Sequence, residues 1–286
     1  MNMTMLTFLA APFVASLVIA GIHAYLGVHV VERGVIFVDL SLAQFAAFGA
    51  AIGLLLPFTG GDPHSTSVSW ISLGFTLVGA VLFSTIRGQR SRIPQEAIIG
   101  ISYAVASAAT ILAMSKATSE AEHLKDMLVG NILAVSWNEV ASTALLYAPI
   151  GIFHYIFRRR FLRISMEHGS SEGPVASTRW WDFLFYASFG IVVTRSVSIA
   201  GVLLVFCYLI VPSVAAMLYA ETIGKRLAIG WTMGTVVSAL GVYLSLLLDL
   251  PTGAAIVCTF GLVLVLMGLV RPLFPGRVPV RTSVPT

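Results

Sequence analysis

Apolar residues fall into nine runs separated by short polar intervals: Leu6–Leu26, Gly34–Leu56, Val68–Ile86, Ala97–Met114, Val140–Phe157, Trp181–Ile199, Gly201–Ala220, Leu227–Leu248 and Gly253–Val270. A helix needs about 17–25 such residues to cross a hydrocarbon core of roughly 30 Å, so the pattern predicts membrane-spanning helices. The seventh run is unusual because Pro212 withholds a backbone donor and disfavours regular helix at the residue before it. Gly201–Val211 alone would rise only about 16 Å. The run is expected to kink through Pro212 or to stop short of a full span. After it, Ser213–Arg226 is expected to form a short docking helix of small residues, closed by Gly224, Lys225 and Arg226. The longest polar interval, Arg158–Arg179, reads as a loop.

Composition agrees with the runs. Hydrophobic residues make up 57% of 286, charged residues 10%, and mean hydropathy is +0.92. A soluble domain carries about 25% charge, so the chain is expected to be an all-α integral membrane protein, a polytopic bundle of about 8–9 transmembrane helices. No stretch is long enough for a soluble domain, and residues 1–286 read as a single transmembrane domain. The start lacks the positive region of a secretory signal, so Leu6–Gly27 reads as a retained helix. Cys207 and Cys258 lie inside apolar runs and read as packing residues, not as a disulfide or a metal pair.

Charge sets the expected orientation. Of 17 lysines and arginines, 14 fall in alternate intervals, including Arg33, Arg87–Arg92, Arg158–Arg163, Lys225–Arg226 and Arg271 onward. Those intervals are expected to be cytoplasmic, with nine spans placing the N-terminus outside and the C-terminus inside. Lys116, Lys125 and Arg195 are left for the outer side. There the segment 120–126, with Glu120, Glu122, His123 and Asp126, reads as a solvated loop. Met127–Val135 after it is apolar enough to lie on the membrane or dip into it. The pair Asp62 and His64 is a weak signal. Asp249 and Arg195 read as interfacial anchors.

Asp39 lies within the second run, where an acid is costly and faces protein or water. On a helix it shares a face with Ala43, Ala46, Ala50 and Gly53, which suggests a seam between helices. A cation contact on a permeation path and a structural hydrogen bond both remain open for it. Gly49–Gly53 and Gly230–Gly234 are GxxxG motifs that permit close helix crossing. The chain contains no phosphate-binding G-x-x-x-x-G-K-[ST], no HExxH and no GxSxG, so nucleotide hydrolysis, zinc peptidase and serine hydrolase chemistry have no motif here.

Four segments resemble permease subunits of bacterial metal-ion (zinc, manganese, iron) ABC importers: VVERGVIFVDLSLAQFAAFG at Val30–Gly49, EAIIGISYA at Glu96–Ala104, LLVFCYLIVPSVAAMLYA within Gly201–Ala220, and LPTGAAIVCTFG at Leu250–Gly261. The resemblance implies a permease in the bacterial inner membrane that is not itself an enzyme. It implies no cofactor on this chain, with ATP and Mg²⁺ on a separate ATP-binding subunit. It further implies an extracytoplasmic metal-binding protein and a second permease copy. Pro212, Ser213, Ala215, Ala216, Tyr219 and Gly224 would then form the coupling segment. Many relatives carry Asp-x-Leu-Ala-His, whereas here Leu40 and Gln44 occupy the acid and histidine positions and Asp39 is displaced by one residue. Asp39 and Gln44 are the expected path residues, with Asp39 the expected metal contact. An oxygen-rich set suits harder cations such as Mn²⁺, or a metal chelate, better than zinc. The alternative is a self-contained proton-coupled transporter, whose usual mark, an inverted repeat with paired broken helices, is not evident.

Overall fold

The computed structural model describes residues 3–59, 65–86, 93–115, 132–166 and 175–273. Ten α-helices account for most of them: α1 (Met3–Arg33), α2 (Val38–Leu55), α3 (Thr66–Ile86), α4 (Gln95–Met114), α5 (Trp137–Ile156), α6 (Arg158–Met166), α7 (Val175–Ala200), α8 (Val202–Tyr219), α9 (Ile223–Leu248) and α10 (Thr252–Val270). Eight are long and apolar enough to cross a membrane, and the bent pair α5–α6 makes a ninth when taken as one span. The described residues contain no strand.

Cross-links show that alternate helices run in opposite directions. At one end Arg33 of α1 meets Asp182 of α7, the N–H before α2 meets Glu96 of α4, and Arg226 of α9 meets Glu32 of α1. At the other end Arg195 of α7 reaches Ser142 and Thr143 of α5. The first end is rich in arginine and is called the basic end below.

Packing centres on α2, which meets α3, α4, α7 and α8 and is buried almost all round. Its small residues make this possible. A Cβ added to Gly49 would lie 2.8 Å from Ser72 Cα, and one added to Gly53 would lie 3.3 Å from Val68 Cα, so α2 and α3 touch backbone to backbone. Ser72 Oγ donates to the Ala46 carbonyl across this seam at 2.8 Å. The second GxxxG works similarly: Gly230 and Gly234 of α9 sit against Ala24 and Ala20 of α1. The small-residue face below Asp39 is thus a seam, as its pattern predicts.

Several boundaries differ from the sequence reading. α1 continues to Arg33, beyond the expected Leu26, and ends at Gly34 in the left-handed conformation (φ 65°) that glycine adopts without a Cβ clash. α2 therefore begins at Val38, which puts Asp39 in its first turn at the basic end and not well inside the span. Pro212 neither stops nor divides its helix. α8 runs unbroken from Val202 to Tyr219, and the Ser213 hydroxyl donates to the Leu209 carbonyl beside the proline. Inside a bundle, side-chain hydroxyls of this kind replace backbone partners near a proline. A separate docking helix over Ser213–Arg226 does not form: Ser213–Tyr219 are the last turns of α8 and Ile223–Arg226 the first turn of α9. Between the sixth and seventh runs the helix continues to Ala200, and Gly201 (φ 78°) alone makes the turn.

Arg158–Arg179 is not a plain loop. Arg158–Met166 forms α6, turned 73° from α5, because Phe161 and Ser165, one turn apart, give an arginine-rich segment one face to bury. Ser136 opens α5 in a reciprocal cap with Glu139. Ile132–Val135 pack into the bundle against α1 and α10, whereas Glu120, Glu122, His123, Asp126, Asp62 and His64 lie outside the described residues. Both cysteines are free, and Arg195 ties α7 to α5.

Candidate transport path and coupling surface

Asp39 is almost completely buried, and its Oδ1 has no hydrogen-bond partner. It sits in the first turn of α2, where the free backbone N–H groups of a helix start favour an acid. Glu96, from the first turn of α4, reaches the same place: its Oε1 accepts from Phe37 N–H at 3.0 Å, and its Oε2 is buried without a partner. Two carboxylates on different helices thus converge on the start of α2, and Cys207 of α8 lies within electrostatic reach of Asp39. Gln44 is also buried, but it sits more than one turn further along α2. The fold brings Asp39 to Glu96, not to Gln44. Sequence reasoning noted Glu96 only inside a resembling segment. The readable signal was its position just after Pro94, at the start of an apolar run.

Among the described residues, no group of three or more histidine, cysteine, aspartate or glutamate side chains is placed to hold a metal ion. The chemistry available near Asp39 is that of oxygen donors, which favour hard cations.

The expected coupling residues separate into two sets. Pro212, Ser213, Ala215 and Ala216 are buried within the chain. Ser213 lies where a Cβ on Gly27 of α1 would fall, and Pro212 faces Gly230 of α9. Ser213 and Pro212 thus hold α8 to α1 and α9, and all four side chains are turned into the bundle. Tyr219 is half-buried, its hydroxyl donating to the Met267 carbonyl of α10. Gly224 is exposed, with open space where a side chain would go. The surface here is the connection 220–222 with the first turn of α9, of which Glu221, Thr222, Gly224 and Lys225 are exposed. Arginines pin it in place. Arg226 donates to the Ala220 carbonyl and pairs with Glu32, and Arg271 donates to the Leu218 carbonyl, so carbonyls left over at the end of α8 are satisfied.

A second polar centre at the basic end was not expected from the sequence. Arg33 Nη1 lies 2.8 Å from Asp182 Oδ1, with both side chains fully buried. Arg33 Nε donates to Ser165 Oγ of α6 at 2.8 Å, His29 Nδ1 contacts the same hydroxyl, and the guanidinium lies 3.9 Å over the Phe185 ring. Nearby Tyr25 packs edge-on against His29 and against His154 of α5. The available signal was Arg33 continuing an apolar helix, with an acid near the start of the run at Trp181.

Comparison with known proteins agrees with this architecture. Over 268 residues the chain is 24% identical to the manganese transport system membrane protein MntC of Listeria innocua, covering 93% of this chain and 91% of that protein. It is 22% identical over 242 residues to the chelated iron transport system membrane protein YfeC of Yersinia pestis, covering 85% and 79%. The fold is similar to PsaBC of Streptococcus pneumoniae, solved in complex with a Fab, with a TM-score of 0.70, 23% identity and coverage of 91% and 90%. The model of the ABC 3 transport family matches residues 5–271, nearly the whole bundle, and the chain belongs to that family.

Proposed function

We propose that this chain is the membrane-spanning permease of an ATP-driven importer for a divalent metal ion of the manganese or iron class, or for a small metal chelate. The family match across residues 5–271 carries this reading, because the similar proteins named for their cargo transport manganese or chelated iron. ATP is bound and hydrolysed by a separate subunit. An extracytoplasmic binding protein delivers the cargo, and a second permease copy completes the path. The basic end faces the cytoplasm. The family assignment weighs against a self-contained proton-coupled transporter.

Asp39 is the cation contact nearest the cytoplasmic mouth, supported by its burial, its unpartnered oxygen and the convergence of Glu96. Gln44 lies further along the same helix and adds a neutral oxygen. The ATP-binding subunit docks on Glu221, Thr222, Gly224 and Lys225, a surface braced by Arg226 and Arg271. Ala216 behind it serves packing, so a bulky residue there would disturb the fold and not the docking alone.

One uptake assay with radioactive manganese tests both points. Asp39→Asn keeps the shape and removes the charge, and it should cut uptake at least tenfold at unchanged protein level. Gly224→Arg enters open space, and it should abolish both co-purification of the ATP-binding subunit and uptake. Normal uptake in Asp39→Asn would place the path elsewhere. Normal co-purification and uptake in Gly224→Arg would remove the docking surface.

A further inference from the structure

α6 stands apart from the other helices. It has nine residues, turns 73° from the axis of α5, and carries Arg158, Arg159, Arg160 and Arg163, all exposed. Its opposite side is anchored: Phe161 is fully buried, and Ser165 is held by Arg33 and His29 of α1. The helix is therefore fixed to the bundle with its arginine ridge outward.

What surrounds the ridge identifies its environment. Immediately before it, α5 exposes Leu145, Ile152, Tyr155 and Ile156, an apolar stripe at helical spacing that suits acyl chains. Beside it Trp180 is exposed, and Met166 closes α6 with another exposed apolar side chain. Aromatic side chains with one wet edge collect at the level of lipid headgroups. Two arginines are already laid on such rings, Arg158 over Tyr155 at 4.3 Å and Arg160 over Trp181 at 5.0 Å. Arg159 and Arg163 are one helical turn apart and share a face, a spacing at which two guanidiniums can grip one phosphate. A basic helix lying across the end of a span, with acyl-facing residues directly beside it, has the arrangement of an interfacial lipid-binding helix.

We infer that α6 is an in-plane element that binds anionic phospholipid headgroups, with Arg159 and Arg163 holding a lipid phosphate whose acyl chain runs along the exposed stripe of α5. Because Ser165 ties α6 to Arg33, and Arg33 to Asp182 of α7, a bound lipid stabilises the junction of α1, α6 and α7.

The test compares the full chain in nanodiscs of phosphatidylcholine with nanodiscs in which part of that lipid is replaced by phosphatidylglycerol. Wild-type Tm should rise by about 4 °C in the anionic discs, the size expected of two surface arginines on headgroups in a chain of this length. Arg159→Gln with Arg163→Gln should lose that rise while matching wild type in phosphatidylcholine. Lys225→Gln, a neutralised cation elsewhere at the basic end, should keep it. Inorganic phosphate added to the phosphatidylcholine discs should leave Tm unchanged. An absent rise in wild type, a rise retained by the double variant or lost equally in Lys225→Gln, or its reproduction by free phosphate would each overturn the proposal. So would a double variant that keeps the lipid response but no longer co-purifies with an ATP-binding subunit, since the ridge would then belong to a protein partner.

Discussion

Between α2 and α3 the helices meet on Gly49, Gly53, Ala46 and Ser72; between α1, α6 and α7 they meet on Arg33, Asp182, Ser165 and His29. The first contact is steric. It relies on backbones close enough to leave no room for a methyl group at Gly49, and one hydroxyl crosses it. The second is electrostatic, a buried ion pair wrapped in hydrogen bonds and a phenyl ring. Lipid is as apolar as a leucine side chain, so helices in a membrane gain little from hiding apolar surface against each other. Close packing and polar bonds remain, and this bundle uses each in a different place. The steric seam lies along α2, the helix that carries Asp39. The ionic junction fixes α6, which no apolar run would have held in position.

The two contacts should break differently. The largest effect is expected at the ionic junction. Asp182→Ala removes an acid partner from a buried guanidinium, a change that costs roughly 3–5 kcal/mol and should lower Tm by about 10 °C. Adding Arg33→Leu should recover much of that loss, because the buried charge goes with it. A single variant as stable as wild type would show that the pair contributes nothing. Second in size is the steric seam. Gly49→Leu drives a side chain into the Ser72 backbone and should cost about 1–3 kcal/mol or more in thermal unfolding. Gly74→Ala, on α3 where an added Cβ meets open space, should stay within experimental error of wild type. Equal changes in the two would show that close approach does not govern the seam. Smallest is Ser72→Ala, which deletes the single hydroxyl bond across α2 and α3 and should cost about 0.6 kcal/mol. A loss as large as that of Asp182→Ala would put the seam's strength in that bond and erase the contrast.

Much of this molecule was legible in its apolar periodicity. A run of about 20 apolar residues has to cross the membrane as a helix, since in lipid each backbone donor and acceptor must find its partner within the segment. The glycine pairs at Gly49–Gly53 and Gly230–Gly234 announced close crossings for the same local reason. The candidate site was legible only in part. Asp39 stood out as an acid in an apolar run, but its neighbour Glu96 is 57 residues away, and no local pattern relates the two. α6 was hidden because four arginines in nine residues look like loop, and only Phe161 and Ser165 show that they have a buried side.

By itself, then, the sequence determined the class, the approximate number and limits of the spans, and the end at which the arginines gather, because each of these follows from the affinity of a segment for lipid or water. Tertiary structure alone decided that Pro212 stays inside a continuous helix, that Ala215 and Ala216 face inward, that Arg33 pairs with Asp182, and that Asp39 meets Glu96. Each of those outcomes depends on which side chains a neighbouring helix brings, and a segment's own residues carry no record of its neighbours.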